Sequence, residues 1–237
     1  MAVSDARQLL ASLQFSDSAF PSGFYTMSHG LEGFSQARLV GRDGVYGLLA
    51  DLLVHSVGPG DATALAGAHR AAAASDWEEV EQIDHRLFAS KLNAEMRTAS
   101  VRSGHQLADL AAEVLGGPGD TDAAGVAEYA RRVKARTTPG CQPVATAVVY
   151  AACGVDTEAA VASDLFAFSV SFVGAALRLR LTDHRHAQAV LYEIGTVIEQ
   201  VAADAARRDI ADIGGCAPVA DIMSAQHERA EARLFAS

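Results

Sequence analysis

Apolar residues recur every three or four positions along most of the chain, and Gly/Pro clusters cut this pattern into segments. Leu9, Leu10 and Leu13 give a first helix one apolar face; the helix is expected to start after Ser4 and run to about Phe15. Pro21 and Gly23 then interrupt: proline lacks an amide hydrogen and biases Phe20 away from helix, and Gly23 suits a positive φ. Met27, Leu31 and Phe34 restore helical spacing in a second helix. Gly30 and Gly33 weaken that helix by roughly 1 kcal/mol each relative to alanine. Close packing of another backbone explains them better than a frayed helix end.

Asp43 reads as the next N-cap, before Leu48, Leu49, Leu52 and Leu53; Gly58–Asp61, GPGD, predicts a break, and an alanine-rich helix follows to about Ala74. Asp76 caps a segment carrying Trp77, Val80, Ile83 and Leu87. Asn93 caps another that ends before Gly116-Gly117-Pro118-Gly119. Asp120 or Thr121 reopens helix to about Ala135, and Thr137–Gly140 stops it. In Pro143–Cys153 the valines fit a strand, whereas Pro143 in a first turn and the following Gly154 favour a short buried helix. Two long segments, 156–180 and 183–208, carry Leu165, Phe168, Phe172 and Leu179, then Val190, Ile194, Val197 and Val201, at helical spacing. Gly214-Gly215 and Pro218 set off a last helix and the tail HERAEARLFAS. No repeat or linker divides the chain, so the pattern predicts an all-α fold: one compact domain of about ten helices over 1–237.

Composition narrows what such a domain does. Half of the 237 residues are apolar, enough for a sizeable core. A net charge of −10 opposes nucleic acid, and with Lys91 and Lys134 as the only lysines there is no dense basic patch for anionic membranes. The apolar tract 165–177 is interrupted by Ser169, Ser171 and Gly174 and bounded by Asp164 and Arg178, so it reads as a buried helix rather than a membrane span of about 20 apolar residues. Cys141, Cys153 and Cys216 form no C-x-x-C pair, and the start MAVSDARQLL lacks a signal-peptide pattern; both fit a cytoplasmic protein with reduced thiols. Each of the three thiols reads as a buried small hydrophobe; Cys141, in a Pro/Gly loop, is the one with room to be exposed instead.

Catalytic patterns are missing. No two of the eight histidines are four apart, no Glu-x-x-His pair occurs, neither lysine follows a glycine as a phosphate-binding loop needs, and no G-x-S-x-G turn exists. His184 and His186 read as a solvated helix start rather than a metal site. His29 with Glu32, and Glu81 with His85, read as hydrogen-bonded pairs. No catalytic or metal-binding residue is assigned, which makes binding the leading class. A metal- or haem-dependent enzyme on a helical bundle is the alternative; it requires inward-facing His or carboxylate clusters.

Four stretches point to one family. QFSDSAFPSGFYTMSHGLE, residues 14–32, is similar to the signature of the urease accessory protein F family, with Gln14, Ser16, Pro21, Gly23, Ser28, Gly30, Leu31 and Glu32 matching and Tyr25 and Met27 departing. Glu95, Arg97, Ser100, Gly104 and Leu107 match a second family pattern; Ala175, Arg178, Leu179 and Gln188 a third. In the tail, His227, Glu228, Arg233, Leu234, Phe235 and Ser237 match a fourth. Cys141 stands where the family often has histidine. The resemblance implies a cytoplasmic, twofold homodimeric, all-α scaffold that is not an enzyme. It binds the accessory protein of type D (also called H), recruits the GTPase accessory protein G and docks on apo-urease for GTP-dependent nickel insertion. Nickel is handled transiently by that complex, and no cofactor is held stably. The matching positions Pro21, Gly23, Ser28, Gly30, Glu32, Arg97, Arg178, His227, Glu228, Arg233, Leu234 and Phe235 become the candidate partner-binding residues, with a docking tail at about 226–237. The 21–32 stretch is expected on a dimer or partner surface, because its glycines permit close approach. The terminal Leu234-Phe235 pair implies docking on this chain or on a partner, since chain ends otherwise fray.

Overall fold

In the computed structural model, the polar residues expected to cap helices do so. Asp76 accepts the Glu79 amide at 3.0 Å, Asn93 the amides of Glu95 and Met96 at 2.9 and 3.3 Å, and Asp183 those of Arg185 and His186 at 2.9 and 3.0 Å. The structure describes residues 3–17, 20–21, 26–116, 123–230 and 233–235. Among them are no strands and twelve α-helices: α1 (Val3–Ser16), α2 (Leu31–Gln36), α3 (Val45–Leu52), α4 (Thr63–Ala73), α5 (Trp77–Ser90), α6 (Ala94–Leu115), α7 (Ala123–Ala135), α8 (Gln142–Ala152), α9 (Thr157–Arg178), α10 (His184–Glu193), α11 (Gly195–Arg207) and α12 (Pro218–Glu228). A π-helical stretch, Leu53–Ala62, joins α3 to α4 in one rod, and α10 turns into α11 at Ile194, so the rods number ten. The expected all-α architecture is therefore present. The Gly117–Gly119 break and the Asp120/Thr121 restart lie outside the described residues.

The core is built around α8, which packs between α4 and α6 and against α7 and α9. Its residues Gln142–Tyr150 are all buried, as expected of a helix that is apolar on nearly every face, and the valines of this stretch are helical rather than in a strand. On α9, Leu165, Phe172 and Val173 are buried against these neighbours. By length and composition α9 alone among the described helices is long and apolar enough to cross a membrane, but 56% of its most apolar window is buried within the bundle.

Four expectations need correction. Asp43 caps nothing: it lies in a 3₁₀ turn, Arg42–Gly44, and α3 starts from Gly44 without a side-chain cap. The leucines of α1 do not face the core; Leu9, Leu10 and Leu13 are 50%, 64% and 57% exposed, while Ala11 and Phe15 pack inward and Tyr150 donates to the Ser12 carbonyl at 3.3 Å. The thiols, all read as buried, divide: Cys141 is fully buried as expected, but Cys153 is only half-buried and Cys216 is exposed. Burial, with the Asp84 carboxyl beside it, pushes the Cys141 thiol far above its ordinary range.

The fourth correction concerns GPGD, which does not end the helix. In an α-helix the ring of Pro59 would collide with the carbonyl four residues back, that of His55. The wider π turn carries the chain past this point, and the carbonyls it releases are used elsewhere. The His55 carbonyl accepts the Cys216 amide at 2.8 Å and the Pro59 carbonyl the Gly214 amide at 3.1 Å. The strap between α11 and α12 is thereby laid along the π stretch. Gly215 lies so close that an added Cβ would stand 2.4 Å from the Ser56 carbonyl oxygen.

Candidate functional site

Three sequence-distant family-matching stretches meet at one buried cluster. His29 (φ 53°) and Gly30 (φ 84°) turn the chain into α2, placing Glu32 in its first turn and fully burying Ser28 beneath it. Asn93 starts α6 and fixes Glu95 in that helix's first turn. His227, in the last turn of α12, is held between the two acids: Nε2 lies 2.8 Å from Glu32 Oε2 and Nδ1 3.3 Å from Glu95 Oε2. The imidazole and the Glu32 side chain are almost wholly buried. Carboxyl oxygens therefore face both ring nitrogens.

The tail completes the cluster. Glu32 accepts the backbone amides of Leu234 at 2.9 Å and Phe235 at 3.1 Å, and Arg233 reaches Glu95 at 3.0 Å. The Arg178 guanidinium lies 4.3 Å from the centre of the Phe235 ring, a cation–π contact. Phe235 is 6% exposed, whereas its neighbour Leu234 is 75% exposed. The terminal apolar pair is thus divided: one residue docks on this chain and the other points outward.

Of the expected partner-binding residues, Glu32, Arg178, His227, Arg233, Leu234 and Phe235 are assembled here, with Ser28 and Gly30 beneath them. The close approach that Gly30 and Gly33 permit is to α12 of the same chain. An added Cβ would stand 2.9 Å from Ser224 Oγ at Gly30, and 2.5 Å from the Met223 carbonyl oxygen at Gly33. Those glycines are therefore explained by internal packing and do not by themselves mark a partner surface. Arg97 turns away from the tail, donating to the carbonyls of Lys91 and Leu92 and lying over the Phe88 ring. Pro21 and Glu228 are exposed, and Gly23 lies outside the described residues. Instead of pairing as expected, His29 and Glu32 diverge: His29 bonds Ser171 Oγ at 2.9 Å and lies against Phe168, while Glu32 serves the tail. Glu81 and His85 both grip Thr137, at its hydroxyl and its carbonyl. Glu95 was legible as a family match but not as a member of this cluster, because its partners lie more than 130 residues away.

Beneath α12 is a cavity of about 130 Å³. Its lining includes His29, an Asp61–Lys91 ion pair at 2.6 Å, Gln142, Asp164 and Ser103. Burial pushes the Asp164 carboxyl up to about 7, with Asp61 adding to the rise and a 2.7 Å bond from the Gln142 amide opposing it. Burial likewise pushes His29 down to about 3, helped by Lys91 and Arg178. The two act in opposite directions. The stability that Asp164 contributes is intact below its ordinary value of 3.8 and lost as pH rises through about 7. That of His29 is present above 6.5 and lost as pH falls towards 3. Asp164→Asn removes the first and leaves the second. Urea denaturation is expected to show the variant gaining roughly 2–3 kcal/mol on the parent between pH 5 and pH 8. A pH-independent difference would show that Asp164 does not titrate in this window.

Comparison with known proteins places the cluster in context. The UreF family model matches residues 40–195. A urease accessory protein UreF 2 of Brucella canis is 32% identical over 227 residues, covering 96% of this chain and 91% of the relative. The urease accessory protein UreF of Yersinia enterocolitica is 30% identical over 235 residues, covering 98% of this chain and all of the relative. That of Yersinia pseudotuberculosis is 28% identical over 233 residues, at 98% and 100% coverage. With both the family model and near-full-length relatives agreeing, this chain belongs to the UreF family of urease accessory proteins.

Proposed function

We propose that this chain is a non-enzymatic helical scaffold for urease maturation. It bridges the D/H-type accessory protein and the G-type GTPase, and regulates GTP-dependent nickel delivery to apo-urease in the cytoplasm. It works as a homodimer, holds no cofactor of its own and handles nickel only within the assembled complex. Family membership over nearly the whole chain supports the reading. The exposed leucine stripe of α1 is the kind of surface a second copy covers.

The observation that carries the proposal is the divided tail: Phe235 anchors it, and the exposed Leu234 is offered to the D/H-type partner. Deleting Arg229–Ser237 is expected to abolish co-purification with that partner while leaving helicity unchanged. Leu234→Asp should weaken capture at least tenfold, because burying one leucine contributes about 1.5–3 kcal/mol. Its stability should not change, since the side chain makes no core contact to lose. Undiminished capture by both variants would reject the tail as the docking element.

A further inference from the structure

One side of the cavity is formed by a single detachable element. Gly215 in the strap and Ala220, Asp221 and Ser224 on α12 line it there; the segment leading into α2, α3 with the π stretch, α5 and its turn into α6, α6, α8 and α9 supply the rest. α12 packs chiefly on the six-residue α2 and on the start of α6. Met223, Ser224 and His227 are its buried residues, and Val219 and Ile222 face outward at 55% and 53% exposure. Its near end is tethered by the strap, whose Gly214 has room around it: among the described residues an added Cβ would meet nothing within 4 Å. Its far end is fixed by His227 between Glu32 and Glu95, about 14 Å along the helix at 1.5 Å per residue. The cavity wall mixes apolar side chains with polar groups, and the polar part is incompletely satisfied. Among the described residues, Ser103 Oγ is fully buried, lines the cavity and has no hydrogen-bond partner, and a buried hydroxyl of this kind costs free energy unless a guest of water size bonds it.

We propose that the cavity is a gated chamber of mixed lining for small solutes that hydrogen-bond its polar side. α12 is its gate, pivoting in the strap and latched by His227. Opening requires the latch, the α2 and α6 contacts, the tail's bonds to Glu32 and Glu95 and the strap's backbone bonds to yield, while the central helices stay packed. Local openings of this kind draw on far fewer buried contacts than global unfolding does.

Thiol accessibility tests this on the full chain. Ser103→Cys is placed in a Cys153→Ser, Cys216→Ser background, leaving buried Cys141, which is not part of the cavity lining, as an internal control. A small methanethiosulfonate reagent is the probe, read by mass spectrometry. Adding His227→Ala is expected to speed modification of the introduced thiol at least tenfold, with Cys141 unmodified and the circular dichroism unchanged. An unchanged rate at position 103, or modification of Cys141 in parallel, overturns the gate. Should Ser103→Cys not fold, amide exchange on the unsubstituted protein replaces it. The α12 amides should then exchange as one block ahead of α8 and α9, and exchange only together with those helices overturns the proposal.

Discussion

Asp84→Ala is expected to cost about 4 kcal/mol of folding stability, a large part of the 5–15 kcal/mol of a typical domain. Asp84 is fully buried on α5 and collects four donors: the Thr138 hydroxyl at 2.5 Å, the amides of Gly140 and Cys141 at 2.7 and 2.9 Å, and the Tyr129 hydroxyl at 3.1 Å. This one side chain therefore ties α5 to α7 and shapes the turn that launches α8. Alanine would leave two buried amides and two buried hydroxyls without an acceptor, and each such loss costs on the order of 1–3 kcal/mol before relaxation. Asp84→Asn keeps the shape but turns one acceptor into a donor facing donors, so an intermediate loss is expected. Urea denaturation measures both. A loss below about 1 kcal/mol for the alanine variant would mean that water replaces the carboxyl without difficulty, and the α7–α8 turn would need another explanation.

Glu32→Ala is expected to lower stability by about 3 kcal/mol and to free the tail. Its carboxyl group accepts two tail amides and faces His227, all within a site that excludes solvent. Removing one member of such a cluster is costlier than deleting an exposed ion pair, because the groups left behind are buried and unpaired. The distinctive outcome is local: trypsin should cut after Arg233 much faster in the variant, while the cores of α4, α8 and α9 resist as before. Equal cleavage rates would show that Phe235 and Arg178 hold the tail without Glu32.

Much of this arrangement could be read from residue order alone, and the exceptions share a cause. Asp76, Asn93 and Asp183 act within three residues of themselves, so local chemistry announces them. The glycines of α2 correctly announced a close neighbour, though not that the neighbour was α12. Asp84 was overlooked because it stands between Ile83 and Leu87 on an otherwise apolar face, and its donors come from positions 129–141. An acid on such a face is itself a signal, since burying it is unfavourable unless donors gather round it. The leucines of α1 misled because periodicity reveals an apolar stripe but not which element covers it. Cys141 is buried, as its apolar character suggested, although Pro and Gly surround it, because the turn they build is pinned inward by Asp84. The tail's two apolar residues looked alike in sequence; Glu32, two hundred positions earlier, accepts the amides of both, and only the Phe235 ring lies against the Arg178 guanidinium.

The π-helical stretch sets the rotational phase between α3 and α4. Each α-helical residue turns the side-chain direction by about 100°, so a wide turn changes how the faces on either side line up. The leucines of α3 and the alanines of α4 both reach the core across Leu53–Ala62. A homologue that gained or lost one residue here would rotate one half of the rod relative to the other. The mismatch would surface against α8 and α11, not at the proline where the sequence had changed.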